Sequence, residues 1–151
     1  MNSLLRCFLI AIATTSSIAH AECTFTTPDG WAGKTIRWEG ECQSGRADGL
    51  GVLKLMDGGK VKLSFFGRLK NGEPVLGFLE SDGGFQAGRF KDGKELPPDD
   101  ELNPPKTMEI AFSEAEKAAK FVAGRFRAAG NTASAAYYEN KALHLRDAWG
   151  E

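Results

Sequence analysis

The sequence has few of the residue patterns that carry catalysis or hold a metal ion. It contains two histidines, His20 and His144, and it has neither a phosphate-binding loop nor a G-x-S-x-G nucleophile motif. Ser134 and His144 lack a third catalytic partner, and the acidic run 99–101 lacks the spaced ligands and the turn glycine of a calcium loop. The sequence therefore predicts no metal site and no cofactor, and it favours a protein that is not an enzyme.

The sequence also lacks an apolar run of the length that spans a membrane, which is about 20 residues. Its apolar run Phe8–Ala13 follows the positive Arg6 and precedes small and polar residues that end in Ala-His-Ala at 19–21. A positive start, a short apolar centre and an A-x-A end are the three parts of a signal peptide. We therefore predict a signal peptide over residues 1–21, cleavage before Glu22, and a periplasmic or secreted protein.

An excess of basic residues is missing as well. The full chain has 19 lysines and arginines against 20 acidic residues, and Arg6 leaves with the signal peptide, so the mature chain carries 18 against 20 and a net charge of −2. Proteins that bind nucleic acid usually carry a basic patch with a basic overall charge. The charge therefore gives no support for a nucleic-acid partner.

Cysteine is scarce, and its count is informative in an exported chain. Cys7 leaves with the signal peptide, so Cys23 and Cys42 remain as an even pair. The chain has no C-x-x-C motif, and His144 is the only histidine after cleavage, so a redox or metal pair is disfavoured. We predict a structural Cys23–Cys42 disulfide, which stabilises by about 3 kcal/mol in the chain-entropy model.

Proline and glycine divide the chain. Four of the six prolines lie between residues 95 and 106, and the two Pro-Pro pairs there predict an extended linker. Fifteen of the 18 glycines lie before it, between Gly30 and Gly93, and the chain after it is rich in alanine. The sequence therefore predicts a β-hairpin domain over 22–94, a linker over 95–106 and a helical hairpin over 107–151.

Two segments alternate in the way that a strand with one buried face does. In the first segment, one face of Thr35–Cys42 carries Ile36, Trp38, Gly40 and Cys42, and the other face is charged. In the second, one face of Val61–Leu69 carries Val61, Leu63, Phe65, Gly67 and Leu69, and the other carries Lys62, Ser64, Phe66 and Arg68. Pairs such as Asn71-Gly72 and Asp92-Gly93 supply the positive φ angles of tight hairpins, so we expect short hairpins here.

The C-terminal region reads as two helices. Ser113 with Glu116 forms a capping-box pattern ahead of apolar residues at helical spacing. Gly130 ends this helix, and Asn131 or Thr132 can cap the next. The sequence predicts an antiparallel helical hairpin whose alanines allow close approach.

The glycine spacing repeats along the chain. The three units are Trp38-x-Gly40-x-Cys42-x-x-Gly45-x-x-x-Gly49-x-Gly51, then Phe65-x-Gly67-x-Leu69-x-x-Gly72 followed by Gly77, and a partial Gln86-x-Gly88-x-Phe90-x-x-Gly93. Over residues 38–94 this pattern resembles the MORN repeat family (membrane occupation and recognition nexus), whose unit runs aromatic-x-Gly-x-aromatic-x-x-Gly-x-x-x-Gly-x-Gly. The chain departs from the family at Cys42 and Leu69, where an aromatic residue is usual, and at the start of the third unit.

The resemblance implies an α+β fold in which a row of antiparallel β-hairpins forms an elongated single-layer sheet, followed by the helical hairpin. In such a row, the rings of Trp38 and Phe65 would lie over glycines of a neighbouring hairpin, because glycine leaves room for a ring. A short repeat array cannot bury its apolar face alone. The helical hairpin is therefore expected either to cover the sheet or to extend it.

The resemblance also implies binding, because repeats of this type mediate protein contacts. We predict an exported binding or scaffold module with a protein partner in the cell envelope. Phe66, flanked by Lys62 and Arg68, suits an interface as an outward aromatic residue between charges. Burial of Phe66 under the helical hairpin is the alternative of equal weight.

Two other functions stay open from the sequence. The first is binding of a phospholipid headgroup or a cell-wall glycan through Trp31, Trp38 and nearby basic residues. The second is a small hydrolase with an unrecognised site, for which Glu39 and Glu41 are the nearest candidates. Solvation of an exposed strand face explains that carboxylate pair better.

Overall fold

The computed structural model describes residues 23–28, 30–97 and 104–150. The predicted signal peptide and residues 98–103 of the predicted linker lie outside these ranges. The described chain folds into six strands followed by two helices. The strands are β1 (Thr35–Gln43), β2 (Arg46–Asp57), β3 (Lys60–Lys70), β4 (Glu73–Ser81), β5 (Gly84–Lys91) and β6 (Lys94–Glu95). The helices are α1 (Pro104–Ala128) and α2 (Thr132–Gly150).

The strands form one antiparallel sheet in the order β1-β2-β3-β4-β5-β6, so each strand pairs with its neighbours in sequence. Four of the connections are two-residue turns with positive φ at both positions, Ser44-Gly45, Gly58-Gly59, Asn71-Gly72 and Asp92-Gly93. Positive φ at both central residues is the requirement of a type I′ hairpin turn, whose twist matches that of the flanking strands. The predicted α+β fold with a row of β-hairpins is confirmed.

The repeat glycines inside the strands lie side by side across the sheet. Gly40 pairs with Gly51, Gly51 with Gly67, Gly67 with Gly77, and Gly77 with Gly88, which places five glycines on five adjacent strands. A Cβ atom added to Gly77 would lie 2.2 Å from the backbone oxygen of Phe66. This line of glycines, which we call the glycine row, lets the backbones of adjacent strands approach closely.

Aromatic rings fill the space that the glycine row leaves. A Cβ atom on Gly51 would meet the ring of Trp38 at 2.5 Å, and one on Gly77 would meet the ring of Phe65 at 2.9 Å. Trp38 and Phe65 therefore lie over glycines, as predicted, but these glycines belong to the paired strand of the same hairpin and not to a neighbouring hairpin.

The sheet has two apolar faces. On the face toward the helices, called here the helix face, the side chains of Val52, Phe66, Phe78 and Ala87 share a core with α1 and α2. On the opposite face, called the glycine face, the ring centroids of Phe65 and Phe90 are 5.2 Å apart although β4 separates their strands. Such a contact requires the sheet to curve toward the glycine face.

The segment before β1 crosses the ends of two hairpins. The backbone N–H of Thr24 donates to the oxygen of Gly45 at 2.9 Å, and that of Thr26 donates to the oxygen of Gly72 at 2.8 Å. Cys23 is bonded to Cys42, with 5.9 Å between their Cα atoms. The predicted disulfide is confirmed, and it is compatible with an oxidising, exported location.

The helical hairpin covers the helix face, which decides between the two arrangements left open by the sequence. The buried side chains Phe112, Val122 and Tyr138 pack on this face of the sheet. At its margin, Lys141 Nζ donates to a carboxylate oxygen of Glu80 at 2.6 Å and lies 5.4 Å from the ring centroid of Phe66. Sheet and helices therefore share one core, and neither helix among the described residues is long and apolar enough to cross a membrane.

The turn between the helices agrees with the prediction. Gly130 has φ +77°, and the N–H of Asn131 donates to the oxygen of Phe126 at 2.9 Å. The Asn131 side-chain oxygen then accepts the N–H of Ser134 at 3.0 Å, as an N-cap does.

The predicted start of the first helix is wrong. Ser113 lies in the middle of α1, which begins at Pro104, inside the predicted linker 95–106. The fixed φ and missing N–H of proline suit the first turn of a helix, so the second Pro-Pro pair opens α1 instead of ending the linker. Ala111 and Phe112 ahead of Ser113 are buried against the sheet, and this packing stabilises the additional turns.

Val61 does not share a face with Leu63. The register of β2 with β3 shifts between Leu55–Leu63 and Met56–Val61, which leaves Lys62 as an extra residue in β3. Such a bulge reverses the side-chain alternation beyond it. Val61 consequently lines a cavity with Ser64 and Phe66 on the helix face.

Candidate functional site

The central residue of the predicted binding patch is buried. The side chain of Phe66 is 1 % exposed and packs on Tyr138, with 6.4 Å between the ring centroids. Phe66 is therefore a core residue under the helical hairpin, and the expectation of an outward aromatic residue at this position is wrong. Alternation alone could not distinguish a face covered by helices from a face open to partners.

The two basic neighbours of Phe66 have different environments. Lys62 is exposed at the bulge of β3. Arg68 Nε donates to Glu114 Oε2 at 2.9 Å, and Lys117 Nζ donates to the other oxygen of that carboxylate at 2.9 Å. Burial by itself raises the pKa of the Glu114 carboxyl, but the hydrogen bonds from Lys117 and Arg68 outweigh it, so the pKa lies below its usual range. The ion pair of Arg68 with Glu114 thus links β3 of the sheet to α1.

Trp31 is also unavailable to a partner. Its side chain is 4 % exposed and lies in the core of the glycine face with Leu53 and Phe65. A tight turn places it there, since the N–H of Trp31 donates to the oxygen of Pro28 at 3.1 Å. The prediction of Trp31 as a binding residue is therefore wrong, because the segment before β1 folds under the sheet.

Trp38 is the predicted binding residue that stays partly accessible at the edge of the sheet. It lies on β1, which is the first strand in the sheet order and has no strand of the described chain on its other side. Its indole N–H donates to the backbone oxygen of Glu41 at 2.9 Å, which fixes the ring over Gly40 and Gly51. The half-buried ring is thereby held in one orientation beside the open edge.

The carboxylates of Glu39 and Glu41 are not brought together as a pair. Glu39 forms an ion pair with Lys54 on the helix face. Glu41 lies at a register shift of β1 against β2, where its Oε2 accepts the N–H of Leu50 at 2.6 Å. A Cβ atom on Gly49 would collide with the Glu41 carboxylate, so the glycine at this position of the repeat makes room for that side chain.

A cleft of about 530 Å³ lies between the sheet and the helical hairpin. Its lining combines the Glu39–Lys54 pair with Phe66, Phe126, Tyr137 and Tyr138. Burial raises the pKa of Tyr138, and the negative charge of Glu39 raises it further, so this hydroxyl stays protonated. Lys54 lies 5.6 Å from the centre of the Tyr138 ring, which places the cation of this cleft against an aromatic face.

Two further hollows lie on either side of Trp38 at the edge. One has a volume of about 300 Å³ and is lined by Trp38, Glu39, Arg125, Phe126 and Ala129. The other has a volume of about 480 Å³ and is lined by Cys23, Phe25, Ile36, Arg37, Trp38 and Glu39. All three concave regions therefore include Glu39, and two include Trp38, so they converge on the middle of β1.

The backbone of β1 presents alternate residues to the open edge. A Cβ atom on Gly51 would lie 2.5 Å from the Cα atom of Gly40. Such a close approach is typical of the narrow antiparallel pair, in which the two residues do not hydrogen-bond to each other. The N–H and C=O of Gly40 thus point away from β2. By the two-residue period, those of Ile36 and Trp38 point the same way.

The outward groups of β1 have different partners. Arg125 Nη1 donates to the backbone oxygen of Gly40, so α1 closes that end of the edge. Among the described residues, the outward backbone groups of Ile36 and Trp38 form no backbone hydrogen bond to another strand, since β2 is the strand that pairs with β1. β1 is thus a nine-residue edge strand whose middle is open to pairing.

The candidate catalytic and metal groups do not form a site within the described ranges. Ser134 and His144 lie ten residues apart on α2, about 15 Å along the axis at 1.5 Å per residue. No three acidic, histidine or cysteine side chains of the described chain are placed to hold a metal ion, and the run 99–101 lies outside that part.

The open edge of β1 was not identified from the sequence, although one signal was present. A row of consecutive hairpins leaves its first and last strands at the edges, so the first alternating segment, Thr35–Cys42, had to lie at an edge.

Comparison of the chain with protein-family models, with curated proteins and with solved structures finds no match. The open edge and its flanking hollows are therefore the site that the geometry of this chain supports.

Proposed function

We propose that this protein is a non-catalytic, exported binding module with a MORN-like repeat sheet, and that it binds an extended segment of a protein partner along the edge of β1. The observation that carries the proposal is the open middle of β1, where the outward backbone groups of Ile36 and Trp38 lie between two hollows. Backbone groups of this kind pair with an added strand, and pockets beside the edge receive its alternate side chains.

The two hollows indicate which side chains an added strand would carry. The hollow beside α1 joins the rings of Trp38 and Phe126 to the guanidinium of Arg125. It suits an apolar side chain or one with an acidic end, because an aromatic wall beside a cation binds both. The hollow of Cys23, Phe25 and Ile36 lies next to Arg37 and suits an apolar side chain.

The edge of β6 provides a contrast within the same sheet. β6 has two residues, Lys94 and Glu95, and both are charged and exposed. A short, charged edge strand is a common protection against unwanted pairing. β1 has nine residues and carries Ile36 and Trp38 among its charges, which favours β1 as the edge that is used.

A proline at position 36 tests the proposal directly. Because the N–H of Ile36 points away from β2, Ile36→Pro removes a donor from the open edge and keeps the ladder between β1 and β2. The matched control is Ile36→Ala, which shortens the same side chain and keeps the N–H. We expect a photo-crosslinking residue at exposed Thr35, in cells of the natural host, to give a discrete protein adduct that Ile36→Pro reduces at least tenfold more than Ile36→Ala does.

The same crosslinker at exposed Lys62 serves as the surface control and is expected to give no such adduct. Equal adducts in Ile36→Pro and Ile36→Ala would contradict strand addition as the mode of binding. A lipid or glycan adduct at position 35 in place of a protein would contradict the protein partner. A circular dichroism spectrum and melting temperature for each variant confirm that the fold is retained.

A further inference from the structure

We infer that the segment which pairs with β1 is β1 of a second copy of this chain, so that two sheets join edge to edge about a two-fold axis at Trp38. This inference rests on the proposed function, because it assigns the partner of the same open edge. The observation behind it is that the charges of β1 complement themselves when the strand is placed antiparallel to its own copy.

Backbone direction limits the possible registers. Ile36, Trp38 and Gly40 turn their N–H and C=O groups outward, so an even-numbered residue of one copy must lie opposite an even-numbered residue of the other. Two antiparallel copies related by a two-fold axis must also place one residue on that axis. The register is therefore set by which residue of β1 occupies the axis.

Charge selects among these registers. With Trp38 on the axis, Arg37 of each copy lies opposite Glu39 of the other, and Ile36 lies opposite Gly40. A shift of one position in either direction places Arg37 opposite Arg37 or Glu39 opposite Glu39. Opposite charges stabilise directly facing pairs and like charges destabilise them, so the axis at Trp38 is the favoured register.

The polar groups at the edge are suited to this pairing. The Glu39 side chain is 25 % exposed at this edge, and its Oε1 pairs with Lys54. Arg37 is exposed on the same edge and can reach that carboxylate on the second copy. The hydrogen bond from Arg125 to the backbone oxygen of Gly40 can stay in place in the dimer. A backbone oxygen has two lone pairs, so the same oxygen can also accept the N–H of Ile36 from the second copy.

The register with Trp38 on the axis predicts which pairs of introduced cysteines can form an intermolecular disulfide. Residues 37 and 39 would face each other as a pair without mutual backbone bonds, about 4.5 Å apart at Cα, which suits a disulfide. Position 37 would lie diagonal to position 37 of the other copy, at about 7–8 Å, which is too far for a strain-free bond.

We therefore expect a mixture of Arg37→Cys and Glu39→Cys proteins to form an intermolecular disulfide at least tenfold faster than either protein alone. The native Cys23–Cys42 bond stays oxidised in both proteins and serves as an internal reference. Equal rates in the mixture and in the single variants would overturn the register.

A charge reversal gives a second readout that does not depend on thiols. Light scattering of the wild-type protein is expected to show the dimer mass at high concentration. Arg37→Glu is expected to raise the dimer dissociation constant at least tenfold, whereas Lys62→Glu, an exposed reversal away from the edge, leaves it unchanged. Arg37→Glu mixed with Glu39→Arg is expected to restore association.

The result also distinguishes this inference from the proposed function. A protein that stays monomeric at every concentration, but whose crosslink at position 35 yields a different protein and is lost in Ile36→Pro, overturns the dimer and leaves strand addition standing. A monomer without any adduct at position 35 overturns both.

Discussion

Replacing Gly77 with alanine is expected to lower the free energy of unfolding by about 3 kcal/mol. The added Cβ atom would lie 2.2 Å from the backbone oxygen of Phe66 and 2.8 Å from the Cα atom of Gly67. Both neighbours are backbone atoms of β3, so neither can rotate away as a side chain could. Urea unfolding followed by circular dichroism measures the change.

The matched control for Gly77→Ala is Gly124→Ala. Gly124 is exposed on α1, and a Cβ atom there meets no other atom within 4 Å. Alanine is favoured over glycine inside a helix by up to about 1 kcal/mol, so this variant is expected to be more stable than the wild type. Equal tolerance of the two substitutions would contradict the close approach of strands along the glycine row.

Replacing Phe66 with alanine is expected to cost about 4 kcal/mol of stability, the usual range for a fully buried phenylalanine. The substitution removes a ring that is 1 % exposed, that packs on Tyr138, and that lies under the ammonium group of Lys141. The cavity would open between the sheet and the helical hairpin, where backbone elements on both sides limit collapse. Thermal and urea unfolding measure the loss.

Phe85→Ala is the control for Phe66→Ala. The side chain of Phe85 is 56 % exposed and stacks on Phe78 with 5.2 Å between ring centroids, so its loss is expected to cost about 1 kcal/mol. If Phe66→Ala left the melting curve unchanged and weakened partner binding instead, Phe66 would belong to an interface and the arrangement of the helices described above would be contradicted.

The local features of the fold could be predicted from the sequence because each rests on neighbouring residues. Asn71-Gly72 specifies a hairpin turn through its own φ angles, and Gly130 with Asn131 specifies a helix end and a helix start. The glycines of the repeat predicted close contacts with rings, which Trp38 and Phe65 make. The disulfide followed from the count of cysteines in an exported chain.

The site could not be predicted in the same way, because it depends on which surfaces are covered. Alternation in β3 distinguishes the face of Phe65 from the face of Phe66, but both rings are buried, one on each face of the sheet. Which one the helices cover depends on contacts between residues far apart in sequence, such as Arg68 with Glu114. The same long-range packing extended α1 back to Pro104, ahead of the capping pattern at Ser113.

The open edge of β1 could not be predicted from the sequence for a different reason. A strand at the end of a row is implied by consecutive hairpins, yet its availability depends on whether another element lies beside it. Here α1 contacts the edge through Arg125 at Gly40, and within the part of the chain that the structure describes Ile36 and Trp38 stay open. That arrangement combines residues 85 positions apart and is visible only in the folded chain.

Hydrogen exchange of the β1 segment tests the central claim most directly. The exchange of peptides covering Thr35–Gln43 is measured by mass spectrometry, once in dilute purified protein and once in the same protein within the host cell envelope. Strand addition predicts that the outward amides of Ile36, Trp38 and Gly40 exchange fast in the dilute protein and become protected in the envelope, while the amides paired with β2 stay protected in both. Equal exchange of β1 in the two samples would contradict binding along this edge.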